Sequence, residues 1–249
     1  MLCQFTVKNF KSIRDEVTFD MQAAAISEHE DRIIIDKDEE KYLPVSAVYG
    51  PNGGGKSNVL AALHTLVAKV LRPLLATEDS EEKVLLQRKI IVEPFAFSKS
   101  KDEPTEFELF FRTTVSEYRY ILHVKRDIVL YESLDRVKLE TGRKSALFTR
   151  DENGIVLKGA FAKLKVSDEL SKTLTLLSYL GIAYKGNAVV KDVLSWFEYG
   201  IEFLNYGNPI QELNMAVSTS EDVKKLMLQM IQEMDLDIVD FRVEEKEND

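Results

Sequence analysis

The residues best suited to chemistry lie together in Gly50-Pro51-Asn52-Gly53-Gly54-Gly55-Lys56-Ser57-Asn58. They fit the spacing G-x-x-x-x-G-K-[ST], with Gly50 as the first glycine and Gly55-Lys56-Ser57 as the end. Glycines let a backbone curl until several N–H groups converge on one point. A helix that starts there adds the positive end of its dipole, and the two together suit a phosphate. A lysine at the end of such a loop supplies a cation for β- and γ-phosphates, and the next hydroxyl is a hard oxygen ligand for Mg²⁺. The candidate binding residues are therefore Gly50, Asn52, Gly53, Gly54, Gly55, Lys56, Ser57 and Asn58, with Ser57 also the candidate metal ligand. The competing reading is a glycine-rich turn that carries Lys-Ser by chance.

The flanking residues argue against chance. Val45, Ala47 and Val48 form a short apolar run ending at Gly50, which predicts a buried strand. Asn58 to Leu63, followed by Leu66, Val67 and Val70, predicts a helix, with Arg72-Pro73 as its end because proline cannot continue it. Strand, glycine loop and helix are the arrangement the chemistry needs.

The loop residues Gly50-Pro51-Asn52-Gly53-Gly54-Gly55-Lys56-Ser57-Asn58 resemble the G-P-N-G-x-G-K-S-N form of ABC-type ATPases of the SMC, RecF and OLD kind. Phe5-Thr6-Val7-Lys8-Asn9-Phe10-Lys11-Ser12-Ile13 is similar to their opening strand with its N-F-[KR]-S signature. Pro104 to Phe111 and Tyr118-Arg119-Tyr120 resemble one branch, the prokaryotic AAA family ATPases described as predicted ATP/GTP phosphatases. The resemblance continues more thinly through Leu147 to Arg150 and Trp196-Phe197. It implies an α+β or α/β P-loop NTPase of ABC-head type. Such a protein has an antiparallel β subdomain, a strand–P-loop–helix core and a helical lobe, and binds ATP and Mg²⁺. It also makes Lys11 and Ser12 weak candidates for nucleotide contact.

Composition sets limits. The chain has 249 residues, 45% hydrophobic and 30% charged, as in an ordinary globular protein. The net charge is −9 and the pI about 5.1, which argues against a wholly basic nucleic-acid surface and leaves room for a local basic patch. One cysteine, Cys3, excludes a disulfide framework and a Cys-based zinc site, and reads as a small apolar residue in a strand. No run approaches the roughly 18 uncharged apolar residues of a membrane span. The start of the chain does not read as a signal peptide, so a reducing cytoplasm is the expected compartment.

Along the chain, residues 2–8 and Val17-Thr18-Phe19 predict a hairpin. Arg32-Ile33-Ile34-Ile35-Asp36 imitates a Mg²⁺-site strand but precedes the loop and lacks a second acid, so an edge strand or loop is expected. The acidic run Thr77 to Glu82 reads as a solvated face, with Thr77 or Ser80 capping a short helix. Ile90 to Phe97 predicts a strand broken at Pro94. From Thr105 to Val137 apolar and polar residues alternate, with a turn expected at Ser116-Glu117. Ile128 to Glu132, Ala146 to Phe148 and the turn Asp151-Glu152-Asn153-Gly154 complete an antiparallel meander whose aromatic residues suit core packing better than base stacking. Past Lys165 helical spacing predicts three helices. The first is capped by Ser167-Asp168-Glu169 and ends near Gly181, the second runs from Val189 to Tyr199 and stops at Gly200, and the third starts at Thr219-Ser220 and reaches Met234. Pro209 marks a loop, and Ile238 to Val243 predicts a strand.

The expected organisation is an ATP-binding part over 1–165, a helical lobe over 166–234, and a returning strand over 235–249. His29, His64 and His123 are isolated and read as packing or surface residues. No glutamine-loop residue is assignable, Gln87 lying before its strand. No apolar strand ends in Asp-Glu, and Leu236 to Phe241 is too short to be one. The resemblance therefore implies the N-terminal part of an ABC/SMC-like ATPase whose full-length form would dimerise on ATP and act on DNA or RNA, or with a defence effector, away from membranes. The alternative is a nucleotide-dependent binding or regulatory module without turnover. A small-molecule kinase or GTPase suits the long meander poorly, and no Asn-Lys-x-Asp motif is present. Catalytic residues are not identifiable from the sequence.

Overall fold

The computed structural model describes residues 1–25, 30–76, 90–97, 102–167, 170–203, 220–233 and 238–241. The chain divides into two compact units, Met1–Ile201 and Glu202–Asp249. The helical lobe expected over 166–234 is thus divided between them.

The first unit is built on a seven-stranded antiparallel sheet. Its strands are β1 (Leu2–Lys8), β2 (Val17–Asp20), β5 (Thr105–Arg112), β6 (Ser116–Lys125), β7 (Ile128–Lys138), β8 (Lys144–Asp151) and β9 (Gly154–Leu157). The spatial order is β2-β1-β5-β6-β7-β8-β9, so the opening hairpin joins the meander through the β1–β5 pair. The period-2 patterns place Phe5, Phe107, Leu109, Phe111, Tyr118, Tyr120 and Leu122 on one buried face. Asp151 pairs with Gly154 across the expected turn, where Gly154 takes a φ of 125°. The β5–β6 turn falls at 113–115, before the predicted Ser116-Glu117. The Thr113 hydroxyl oxygen accepts the amides of Val115 and Ser116, which closes the turn early and leaves Ser116 to begin β6.

Two short strands, β3 (Ile34–Ile35) and β4 (Lys41–Tyr42), form a separate hairpin. Asp36, from the run that imitates a metal-site strand, instead binds Arg112 at 3.0 Å together with Asp38 and Glu117.

Helix α1 (Lys56–Leu75) follows the glycine loop. It is long and apolar enough to cross a membrane by length and composition alone, with a mean hydropathy of 1.3. Its Ala62, Leu63, Leu66, Val67 and Val70 are nevertheless core residues of the first unit. Pro73 lies inside this helix rather than ending it. Proline cannot donate to the carbonyl of Lys69. The Ser178 hydroxyl takes up carbonyls there, 2.7 Å from that of Val70 and 3.5 Å from that of Lys69.

Helix α2 (Leu176–Ala183) begins well after the predicted cap at Ser167. Arg150 holds the carbonyls of Ser171 and Leu174, which draws 171–174 away from a helical ladder. Thr175 caps the helix by accepting the Ser178 amide. Buried Glu132 on β7 accepts the amides of Leu176 and Leu177 at 2.6 and 2.9 Å. Gly181 does not stop α2: a Cβ there would sit 2.6 Å from methyls of both Leu74 and Leu194, so glycine permits three helices to converge. Helix α3 (Ala188–Tyr199) matches expectation, capped by Asn187 and followed by Gly200. Its Trp196 and Phe197 pack on the sheet, with ring centroids 4.6 and 5.5 Å from Phe111. The meander's aromatic face is therefore core.

Two of the predicted strands, beyond the one before the glycine loop, are irregular. Residues 90–97 run without ladder partners, held by the Val92 amide on the Arg126 carbonyl and the Lys11 amide on the Glu93 carbonyl. In the second unit, residues 238–241 are also irregular. There α4 (Glu221–Glu233) is the third expected helix, and Lys224 pairs with Asp240 at 2.8 Å. His29, the run Thr77 to Glu82, Gln87, Asp168-Glu169, Pro209, Thr219, Met234, Leu236-Asp237 and the tail from Arg242 lie outside the described residues.

Candidate phosphate-binding site

The glycine loop is shaped by backbone that only glycine adopts cheaply. Gly53 and Gly55 take φ of 80° and 88°, in the left-handed region. Gly54 donates to the Pro51 carbonyl at 3.1 Å, which forms the tip. Gly55 is the N-cap of α1 and carries no side chain to occupy the helix end, and the first turn has no acid. Within α1's start, Asn58 and Val59 donate back to the Gly55 carbonyl. The amides of Gly55, Lys56 and Ser57 donate to no protein group among the described residues. These are the orphan donors of a helix N-terminus, presented at an exposed loop.

Lys56 lies across the loop's mouth. Its ammonium donates to the carbonyls of Gly50 and Pro51 at 2.7 and 2.8 Å. Ser57 is exposed, and its hydroxyl makes no hydrogen bond to protein among the described residues. Asn52 and Gly53 sit exposed at the tip. This donor set of helix-start amides, one ammonium and one hydroxyl fits a polyphosphate with a hard divalent cation. Lys56 would hold phosphate oxygens and Ser57 a metal. No cluster of three or more His, Cys, Asp or Glu side chains suited to a metal occurs among the described residues.

The strand expected just before the loop is absent. Residues 43–50 carry no strand, and Val45, Val48 and Tyr49 are 76%, 48% and 90% exposed. A strand needs a neighbour for its N–H and C=O groups, and among the described residues none pairs with the backbone of 45–49.

Structure joins the second signature to the first. Ser12 lies against the loop's end: its hydroxyl oxygen accepts the Asn58 side-chain amide at 2.7 Å, and a Cβ on Gly55 would lie 3.1 Å from it. Asn58, expected to touch nucleotide, thus gives its amide to the β1–β2 turn. Lys11 is exposed with its ammonium 5.5 Å over the Phe10 ring. Sequence reasoning missed the role of Asn9. It is 1% exposed with φ of 56°, its amide reaches the carbonyls of Glu103 and Pro104, and its side-chain oxygen accepts the Phe95 amide. An asparagine before a tight turn is the signal for such a left-handed hub.

Two histidines lie among the described residues. His64 is exposed on α1. His123 stacks 5.1 Å from Tyr131 on the sheet, and burial lowers its pKa.

A glycine loop with these amides and this lysine at the head of a core helix defines a P-loop NTPase. Residues 45–190, more than half of the chain, match the family described as an AAA domain, a candidate AbiEii toxin of a Type IV TA system. The chain belongs to this prokaryotic AAA-type P-loop ATPase family and is an ATP-binding module of it. Comparison with curated proteins gives no match.

Proposed function

We propose that this chain binds Mg-ATP at Gly50 to Asn58 as part of an ABC/SMC-like ATPase. ATP-driven homodimerisation would serve a defence-related or nucleic-acid process in the cytoplasm. The observation that carries the nucleotide part is that the amides of Gly55, Lys56 and Ser57 have no protein acceptor among the described residues, in a loop whose Lys56 ammonium reaches back to Gly50 and Pro51. The ABC/SMC subtype is supported by N-F-K-S meeting the loop, since Ser12 touches Asn58. A defence role is supported by the family's description as a candidate toxin of a toxin–antitoxin system. The single buried thiol, Cys3, suits a reducing compartment.

Binding at the loop is not turnover. Holding phosphates lowers the energy of substrate and transition state alike unless a group also orients water and meets the developing charge. Titration calorimetry with Mg-ATP, phosphate release, and light scattering with and without ATP test the three parts of the reading in turn. Absence of Mg-ATP binding would refute it outright. Binding by the full-length form without ATP-dependent dimerisation would remove the ABC/SMC part.

A further inference from the structure

We propose that the Ser12–Asn58 hydrogen bond is a positioning contact for the phosphate loop, fixing the bend at Gly55 from which the phosphate-facing amides project. The inference rests on the nucleotide reading above and names a role that the loop motif does not contain.

Gly55 is where the loop, at φ of 88°, turns into helix α1. Two contacts fix that bend. On the helix side, the Asn58 backbone amide donates to the Gly55 carbonyl at 2.9 Å. From the β1–β2 turn, the Ser12 hydroxyl oxygen accepts the Asn58 side-chain amide at 2.7 Å, close enough to Gly55 that a Cβ there would lie 3.1 Å from it. One hydroxyl therefore binds the third residue of α1 and leaves room at the N-cap for glycine alone. Together they tie the residue after the bend to the Gly55 carbonyl and to the β1–β2 turn.

Ser12 stands on a rigid base. The turn beneath it is closed by the Phe10 amide on the Ile13 carbonyl and the Ile13 amide on the Phe10 carbonyl, at 2.8 and 2.7 Å. Phe10 and Ile13 are buried. Asn9 and Lys11 both hold left-handed backbone, φ 56° and 49°, which a side-chain-bearing residue keeps only when its surroundings enforce it. Here they do: the Lys11 amide binds the Glu93 carbonyl, the Asn9 side chain bridges three backbone groups, and the Thr105 hydroxyl donates to the Asn9 carbonyl at 2.6 Å. The sheet thus holds the turn, and the turn holds the loop.

The test is a double-mutant cycle on Mg-ATP affinity in the full chain, by calorimetry, with Ser12→Ala, Asn58→Ala, their combination, Ser12→Thr and Lys56→Ala. The Ser12–Asn58 bond is solvent-facing, so alanine at either end leaves the fold intact, and thermal melting of each variant checks this. Each single alanine variant is expected to weaken binding about 3- to 10-fold, the range one such hydrogen bond supports. The double variant should be no weaker than the weaker single, because both remove one contact. Ser12→Thr, which keeps the hydroxyl, should restore affinity without altering melting. Unchanged affinity in the singles, losses that multiply in the double, or failure of threonine to rescue would overturn the proposal. If Lys56→Ala abolishes binding while the Ser12 and Asn58 variants bind normally, the positioning role alone falls. If Lys56→Ala binds as wild type, the nucleotide reading itself falls.

Discussion

Lys56 gives its ammonium to the carbonyl of Gly50, 2.7 Å away, and so ties the end of the glycine loop to its first residue. The acceptor is neutral. Phosphate oxygens at the amides of Gly55 to Ser57 would offer the same ammonium charge-assisted partners, which are roughly twice as strong.

Lys56→Ala should therefore weaken Mg-ATP binding by about tenfold or more, the loss of one charge-assisted contact of about 1.5–3 kcal/mol. Calorimetry on both proteins measures it. Equal affinities would rule out the loop as the site.

Ser57→Ala should act through the metal. Its exposed hydroxyl has no protein partner to lose among the described residues, so the fold is unaffected. ATP affinity should fall several-fold with Mg²⁺ present and stay near wild type in chelator, by about a metal ligand's share. A loss of equal size in both conditions would speak for a direct phosphate contact instead.

Glu132 should prove structural. Its carboxylate, fully buried, accepts two helix-start amides and the Tyr120 hydroxyl. Glu132→Ala leaves those donors buried and unpaired, and should cost about 3 kcal/mol or more. Glu132→Gln keeps one acceptor oxygen and should cost clearly less. Urea unfolding gives both values, and equal costs would mean that one retained acceptor oxygen does not cap the helix start.

Acid should loosen the Arg112 cluster. The Asp38 carboxyl is held below its ordinary 3.8, first by its hydrogen bond to Arg112. A depressed carboxylate contributes stability that is complete above its unfolded value, about 3.9, and is lost as pH falls through the folded one. Arg112→Met should lower stability at neutral pH and flatten the decline below about pH 4. Urea midpoints between neutral and strongly acid pH would show the crossing trends. Parallel curves would remove the linkage.

Cys3 should be inert in the folded protein. Burial pushes its thiol up to about 11, leaving little thiolate near neutrality. A disulfide reagent at about pH 8 should label it only after urea is added. Rapid labelling of the native chain would mean that β1 opens.

Much of this was legible because the determinants are local. The glycine spacing from Gly50 to Ser57 marks where the backbone turns left-handed and the helix starts uncapped, because glycine adopts such φ values without a distant partner. The strands from Thr105 to Lys125 show as period-2 alternation because one face is buried. Gly200 follows α3 by the same kind of short-range rule.

The remainder depends on partners far away in sequence. Val45 to Val48 has the composition of a strand, but hydrogen bonding decides a strand, and these residues have no described neighbour. Helix α2 starts at Leu176 because Glu132 and Arg150 reach it from β7 and β8. Pro73 stays within α1 because Ser178 of another helix serves the carbonyls there. The amino-acid sequence by itself determined that this chain carries a phosphate loop on a helix beside an antiparallel meander. Only the tertiary structure decided where helices begin, and that Ser12 meets Asn58 across 46 positions, because such contacts belong to the packing and leave no periodic trace in the chain.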